Sequence, residues 1–272
     1  MLGNIFASAR AVGGAIVTVG LVVACAIQVD SAGSAGPVDS ASAALTSSAV
    51  TTTAPAPVET RSAIKYRWGA VVAGDEFNYT GRPNSTKWSL YNSAGHGGKG
   101  LRRPAAWKVD GGAATVTGDP AGTTGGMSSR FSQKYGRWEA RMKTNKRDSQ
   151  YHPNLMLWPN ASTGRCSEVD FAESTDDVTR IKFFLHYGCR PDQTRAAKVI
   201  DMTQWHNYAV EWTSTGMKGF IDGELFFIDT DTSHLPPSTM HASMQLDWFP
   251  KAGMTTQQSS MSVDWIRIYK AS

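Results

Sequence analysis

The chain has 272 residues, with 27 basic and 23 acidic side chains and a net charge of +4 spread along its length. It contains no basic stripe, no zinc-ligand spacing and no glycine-rich phosphate loop following a strand, which argues against nucleic acid and nucleotide partners. The length exceeds one average domain, yet roughly the first sixty residues lack the composition of a folded core.

Residues 1–29 read as an export leader. Arg10 and the amino terminus supply positive charge, and an apolar run from Ala11 to Ala24 has signal-peptide character. Its glycines and short length disfavour a membrane-spanning helix. Val22-Val23-Ala24-Cys25 is similar to a bacterial lipobox, so two outcomes stand: a lipid anchor through Cys25, or plain secretion after cleavage between Ala24 and Ala35. Residues 30–61 are Ala, Ser, Thr, Pro and Gly with almost no charge. Such a segment cannot bury enough apolar surface to offset its ordering entropy, and it reads as a flexible linker. The expected folded domain is 62–272, large enough for a full core.

Within that domain no run has helical period. Short β-branched or aromatic stretches alternate with Gly, Asp, Asn and Pro instead: Trp107–Val109, Ala114–Thr117, Met127–Phe131, Gly136–Thr144 and Leu155–Trp158, then Ile181–Tyr187, Asn207–Thr213, Gly216–Ile221, Glu224–Asp229, His241–Trp248 and Met261–Tyr269. Asp222-Gly223 predicts a tight hairpin turn. The pattern predicts an all-β, two-sheet antiparallel sandwich whose curved face can hold a cleft for a chain-like ligand. Among nine tryptophans, Trp158 is the candidate for packing on a sugar ring, because it closes a strand beside Pro159. Cys166 and Cys189 form an even pair once Cys25 is assigned to the leader. They predict a disulfide in an oxidising compartment, with two free thiols as the alternative.

Between those cysteines lies the most informative segment, Ser167–Asp177. Glu168 and Asp170 share a face of a strand, whereas Glu173 has the opposite parity. One extra residue between Asp170 and Glu173, a β-bulge, puts all three carboxyls on one surface. The two glutamates then stand about 13 Å apart at Cα, from roughly 3.3 Å per residue. Long side chains leaning inward can close that gap to the roughly 5–5.5 Å of a retaining glycosidase pair. An acid-rich solvated strand, or part of a calcium site, is the ordinary alternative.

Further motifs surround this strand in order. They are Gly74-Asp75-Glu76-Phe77 with Trp88, Tyr135-Gly136-Arg137-Trp138-Glu139-Ala140-Arg141-Met142-Lys143, His186-Tyr187-Gly188, Trp205-His206-Asn207-Tyr208 with Ile221-Asp222-Gly223, and Met261 to Tyr269. With the Glu-x-Asp-x-x-Glu run, the set resembles glycoside hydrolase family 16, the laminarinase, lichenase and agarase family. The resemblance implies a concanavalin-like jelly roll with a concave cleft. It also implies endo-hydrolysis of a β-linked polysaccharide with retention, by a monomer needing no cofactor for catalysis. Glu168 would be the nucleophile, Glu173 the general acid/base and Asp170 the carboxyl between them. His186 would be a polar neighbour of the pair or a structural histidine. A structural calcium at Glu76 and Asp264 is implied as well.

Departures from the family pattern bear on substrate. Met156 stands where laminarinase-like members carry Trp, and the run Thr163-Gly164-Arg165-Cys166-Ser167 lacks an expected Trp and Gly. Met244-Gln245-Leu246-Asp247-Trp248 replaces Leu-Asn-Leu, with Gln245 expected as the amide contact and Trp248 as a sugar platform. The expected substrate is β-1,3- or mixed β-1,3/1,4-glucan, outside the cell or at its surface. The rivals are a galactan hydrolase acting on agarose or carrageenan, a cell-surface transglycosylase, and a non-catalytic glycan-binding module.

Overall fold

The computed structural model describes residues 58–160, 166–189 and 192–271. The expected leader, Cys25 and the linker up to residue 57 lie outside the described residues. Among those described, two antiparallel sheets pack face to face as a jelly-roll sandwich. The larger contains β1 (Val71–Asp75), β2 (Thr80–Gly81), β6 (Trp107–Asp110), β7 (Ala114–Gly118), β10 (Gly136–Thr144), β15 (His206–Thr213), β16 (Gly216–Ile221), β17 (Glu224–Asp229) and β19 (Ser259–Tyr269). Its order is β17-β16-β15-β10-β19-β7-β6-β2, with β1 also paired to β19. The smaller contains β3 (Trp88–Leu90), β9 (Gly126–Gln133), β11 (Tyr151–Pro159), β12 (Glu168–Glu173), β13 (Arg180–His186), β14 (Gln193–Val199) and β18 (Met240–Trp248). It runs β14-β13-β12-β11-β18-β9-β3. A small third sheet of β4 (Ser93–Ala94), β5 (Leu101–Arg102) and β8 (Thr123–Thr124) includes a parallel pairing of β5 with β8.

Alternation builds the core. Trp138, Met142, Tyr208, Val210, Ile266 and Ile268 from the larger sheet meet Leu155, Leu157, Val169, Phe171, Phe183 and Met244 from the smaller, all fully buried. Each such side chain contributes about 1.5–3 kcal/mol on leaving water. The β16–β17 hairpin turns at Asp222 (φ 51) and Gly223 (φ 73), the left-handed pair that an Asp-Gly turn supplies. Asp222 then accepts from the Asn207 N–H at 2.8 Å and meets His206 Nδ1 at 2.6 Å, tying the turn to β15.

Residues 58–68 strap across the larger sheet. Its short helix α1 (Ser62–Lys65) sets Ala63 and Trp68 against Ala209, Phe220 and Tyr269 in a second buried cluster. The Glu139 carboxylate, fully buried on β10, accepts from the backbone N–H groups of Ser62 and Ala63. Thr60 and Tyr66 add bonds to Asn207 and the Gly223 carbonyl. Cys166 and Cys189 form a disulfide with Cα atoms 4.7 Å apart, joining the entrance of β12 to the exit of β13.

Two stability predictions follow from these contacts. Burial pushes Glu139 up to about 7, so the folded protein holds this proton more tightly than the unfolded chain. The associated stability is complete below the unfolded value of about 4.5 and is lost as pH rises towards 7, by about 3 kcal/mol. Urea unfolding at pH 5 and pH 7 should show a smaller pH difference in Glu139→Gln than in the native protein. Replacing both Cys166 and Cys189 by Ser should cost about 3 kcal/mol in the same assay, the value for a loop of this length.

Candidate active site

The outward face of the smaller sheet carries a cleft of about 670 Å³. Strand parity decides what lines it. On β11, Tyr151, Leu155 and Leu157 enter the core, while Asn154, Met156 and Trp158 face the cleft. On β12 the register shifts between Asp170 and Glu173, where both Phe171 and Ala172 turn into the core. The partner strand agrees, since Leu155 pairs with Ala172 and Met156 with Asp170. This bulge brings Glu168, Asp170 and Glu173 to the same cleft.

Hydrogen bonds fix the middle acid. Asp170 is 2% exposed, accepts from Asn154 Nδ2 at 2.7 Å, and lies 3.2 Å from His186 Nε2. Burial pushes Glu168 and Glu173 above the usual carboxylate range, and the negative charges of Asp170 and Asp247 push both further. Lys182 and Arg147 act against that rise at Glu173. Arg147 also pins the end of β12, donating to the Ser174 hydroxyl and the Thr175 carbonyl at 2.5 Å each. His152 Nδ1 stands 4.0 Å from Glu173, and burial with the Arg147 charge drives this imidazole down to about 4, so it is neutral near pH 7. Its ring stacks on Phe249 at 4.1 Å, and Phe249 meets His96 at 4.7 Å.

The arrangement is that of paired carboxyls able to hold one proton between them in a partly dry cleft, which suits acid–base and nucleophilic work at a glycosidic bond. Residues 101–267 match the model for glycosyl hydrolases family 16. The chain belongs to that family. It is therefore a glycoside hydrolase, and no cofactor is required for the family's catalysis. No curated protein matches it. Solved structures that do match include LamA from Zobellia galactanivorans, determined with laminaritriose and laminaritetraose (18% identity, TM-score 0.65, covering 74% of this chain and 98% of that one). The laminarinase of Rhodothermus marinus matches at 22% identity and TM-score 0.65, over 74% and 96% of the two chains. An endo-β-1,3-glucanase from Pyrococcus furiosus matches at 17% and 0.63, over 74% and 94%. At these identities the likeness is one of fold.

In this family 16 enzyme, Trp158, His186 and Gln245 line the cleft with the three acids, and Trp158 is 40% exposed. Gln245 Nε2 lies 3.0 Å from the Met156 sulfur. Trp248 does not line it. It follows Asp247 by one residue and so faces the other way, under the glycine turns at Gly100 and Gly122. A Cβ on Gly122 would come within 2.2 Å of its ring. Each carboxylate of the expected calcium pair is engaged by an arginine. Glu76 is held by Arg267 at 2.8 Å and Asp264 by Arg141 at 2.6 Å, and among the described residues no group of three or more His, Cys, Asp or Glu is placed to hold a metal.

Sequence reading missed Tyr91, His96, Arg102, Asn154, Asp247 and Phe249, all of which line the cleft. Parity from Gln245 would have found Asp247 and Phe249. Arg102, on a two-residue strand far away in sequence, gave no such signal.

The two tryptophans should separate experimentally. Trp158→Ala should raise KM roughly tenfold, equivalent to about 1.4 kcal/mol, while leaving the melting temperature nearly unchanged. Trp248→Ala should instead lower stability by about 3 kcal/mol.

Proposed function

We propose that the protein is an exported, retaining endo-hydrolase of β-linked glucan, with β-1,3- or mixed β-1,3/1,4-glucan as substrate. The observation that carries the reading is the convergence of Glu168, Asp170 and Glu173 on one cleft across the β12 bulge. Glu168 attacks the anomeric carbon while Glu173 protonates the departing glycosidic oxygen. Water, deprotonated by the same Glu173, then releases the glycosyl intermediate. Asp170, held by Asn154 and His186, keeps the Glu168 carboxyl oriented.

Support for a glucan comes from the fold shared with proteins described as laminarinase and endo-β-1,3-glucanase, and with LamA, determined with laminaritriose and laminaritetraose. The charge of the cleft supports an uncharged glycan. Among the described residues, Glu168, Asp170, Glu173 and Asp247 face it, against one arginine, Arg102. A sulfated galactan would meet that excess of negative charge. The disulfide, together with the leader expected from the sequence, supports export, with release or anchoring through Cys25 decided by mass spectrometry of the mature amino terminus.

Reducing ends should be released from laminarin and lichenan, and far more slowly from agarose and carrageenan. Nuclear magnetic resonance should record the β-anomer as first product; an α-anomer would remove the retaining mechanism. Glu168→Gln should lose about a thousandfold or more in kcat, roughly 4 kcal/mol of barrier. Turnover that survives it would remove Glu168 as nucleophile. Because Glu173 must hold its proton to act as acid, and its environment raises its pKa, activity should persist well above pH 4.5 and fall on an alkaline limb. That limb should disappear from the residual rate of Glu173→Gln.

A further inference from the structure

On one wall of the cleft, Arg102 on β5 reaches Asp247 on β18. Arg102 Nε donates to Asp247 Oδ1 at 3.1 Å and Nη2 donates to the same oxygen at 2.5 Å. Both side chains are largely buried, at 16% and 11% exposure, and both line the cleft that holds the three acids. The guanidinium also lies over the Tyr91 ring, 5.7 Å from its centroid.

The geometry is one-sided. Two donors of Arg102 converge on a single oxygen of Asp247, which leaves Asp247 Oδ2 and Arg102 Nη1 with no protein partner among the described residues. A cleft-lining pair therefore offers a carboxylate acceptor together with the remaining guanidinium N–H donors. A sugar hydroxyl matches that pair, because it donates through its hydrogen and accepts through its oxygen. An anionic substituent does not match it. A sulfate or carboxylate takes a guanidinium through two parallel N–H bonds. Here Asp247 occupies the Nε–Nη2 edge and neutralises the charge, so an anion at the remaining edge would meet the Asp247 carboxylate and the three acids without a net positive partner.

We propose that Arg102 and Asp247 form a hydroxyl-recognition subsite for an uncharged sugar unit, and that Asp247 acts as a built-in occupant denying Arg102 to sulfated or uronate-bearing glycans. The inference rests on the assignment of this cleft as the substrate site. It does not depend on which neutral glycan is cut. Specificity built this way combines attraction with exclusion.

The test starts from the neutral polysaccharide that the native enzyme cleaves fastest, whether glucan or agarose, so an error in the glucan assignment registers separately. Asp247→Asn should raise KM for that glycan at least fivefold. It should also create what the native protein lacks, competitive inhibition by inorganic sulfate and binding of a sulfated galactan oligosaccharide at least tenfold tighter than in the native protein. A merely structural role of the ion pair would produce no such gain. Arg102→Gln combined with Asp247→Asn keeps polar groups of similar size without a buried charge, and serves also if the single variant is unstable. It should weaken the neutral glycan at least tenfold and show no sulfate inhibition. The proposal is overturned if the double variant keeps KM within twofold of native. It is equally overturned if the native enzyme binds sulfated oligosaccharide more tightly than neutral, or if a folded Asp247→Asn gains no affinity for sulfate.

Discussion

A strand alternates its side chains without exception unless the ladder is broken, and the acid cluster depends on one such break. Between Asp170 and Glu173 the chain spends two residues, Phe171 and Ala172, on the core side. The bulge costs a ladder hydrogen bond and bends the strand. In return Glu173 swings to the face that holds Glu168. Phe171 enters the core fully buried, so the irregularity is anchored by packing rather than left to fluctuate. Arg147, bonded to Ser174 and Thr175 immediately beyond, fixes the strand end that the bulge would otherwise loosen.

Burial of the acids is the second constraint, and it follows from the first. Placing carboxyls on a sheet face beneath a cleft removes water from them, and desolvation is the largest cause of the upward shifts at Glu168 and Glu173. Two such groups beside Asp170 and Asp247 cannot all ionise cheaply, so one proton stays within the cluster over a range where free glutamates have none. The neighbours temper this. Arg147 and Lys182 oppose the rise at Glu173, and the His152 ring, stacked on Phe249 and 4.0 Å from Glu173, is neutral near pH 7 and adds no charge.

Much of this frame was legible in the residues because it obeys local rules. The bulge followed from the parity of three acids, the Asp222-Gly223 turn from its left-handed requirement, and the main strands from alternation. The edge strand β14, Gln193–Val199, carried no such signal: it pairs only with β13, is largely exposed, and mixes charged with small residues. The strap was hidden for a different reason. Glu139 lies in a strand motif, but its partners are backbone N–H groups of Ser62 and Ala63, far away in sequence and without side-chain identity to read. Trp248 was misjudged because aromatic character was weighed above parity. Parity favoured Asp247, and the glycine turns at Gly100 and Gly122 are what accommodate the displaced ring.

The cleft has exchanged apolar area for polar order. Where related enzymes are expected to offer tryptophan platforms, this chain presents Met156 on β11. Across the strand pair His152 stands opposite Asp247, and Asn154 opposite Gln245. A wide aromatic platform binds sugar rings through area and tolerates variation in their hydroxyls. A floor of amides, imidazoles and a buried ion pair discriminates by hydrogen-bond complementarity, and it penalises ligands that leave its groups unpaired. Folding such a floor is expensive, since buried ions and amides gain little net stability over apolar substitutes. A fold selected for stability alone would favour leucine at these positions. Their polarity, concentrated on β11 and on β18 beyond it, is intelligible as the cost of choosing among sugars whose rings differ chiefly in where their hydroxyls point.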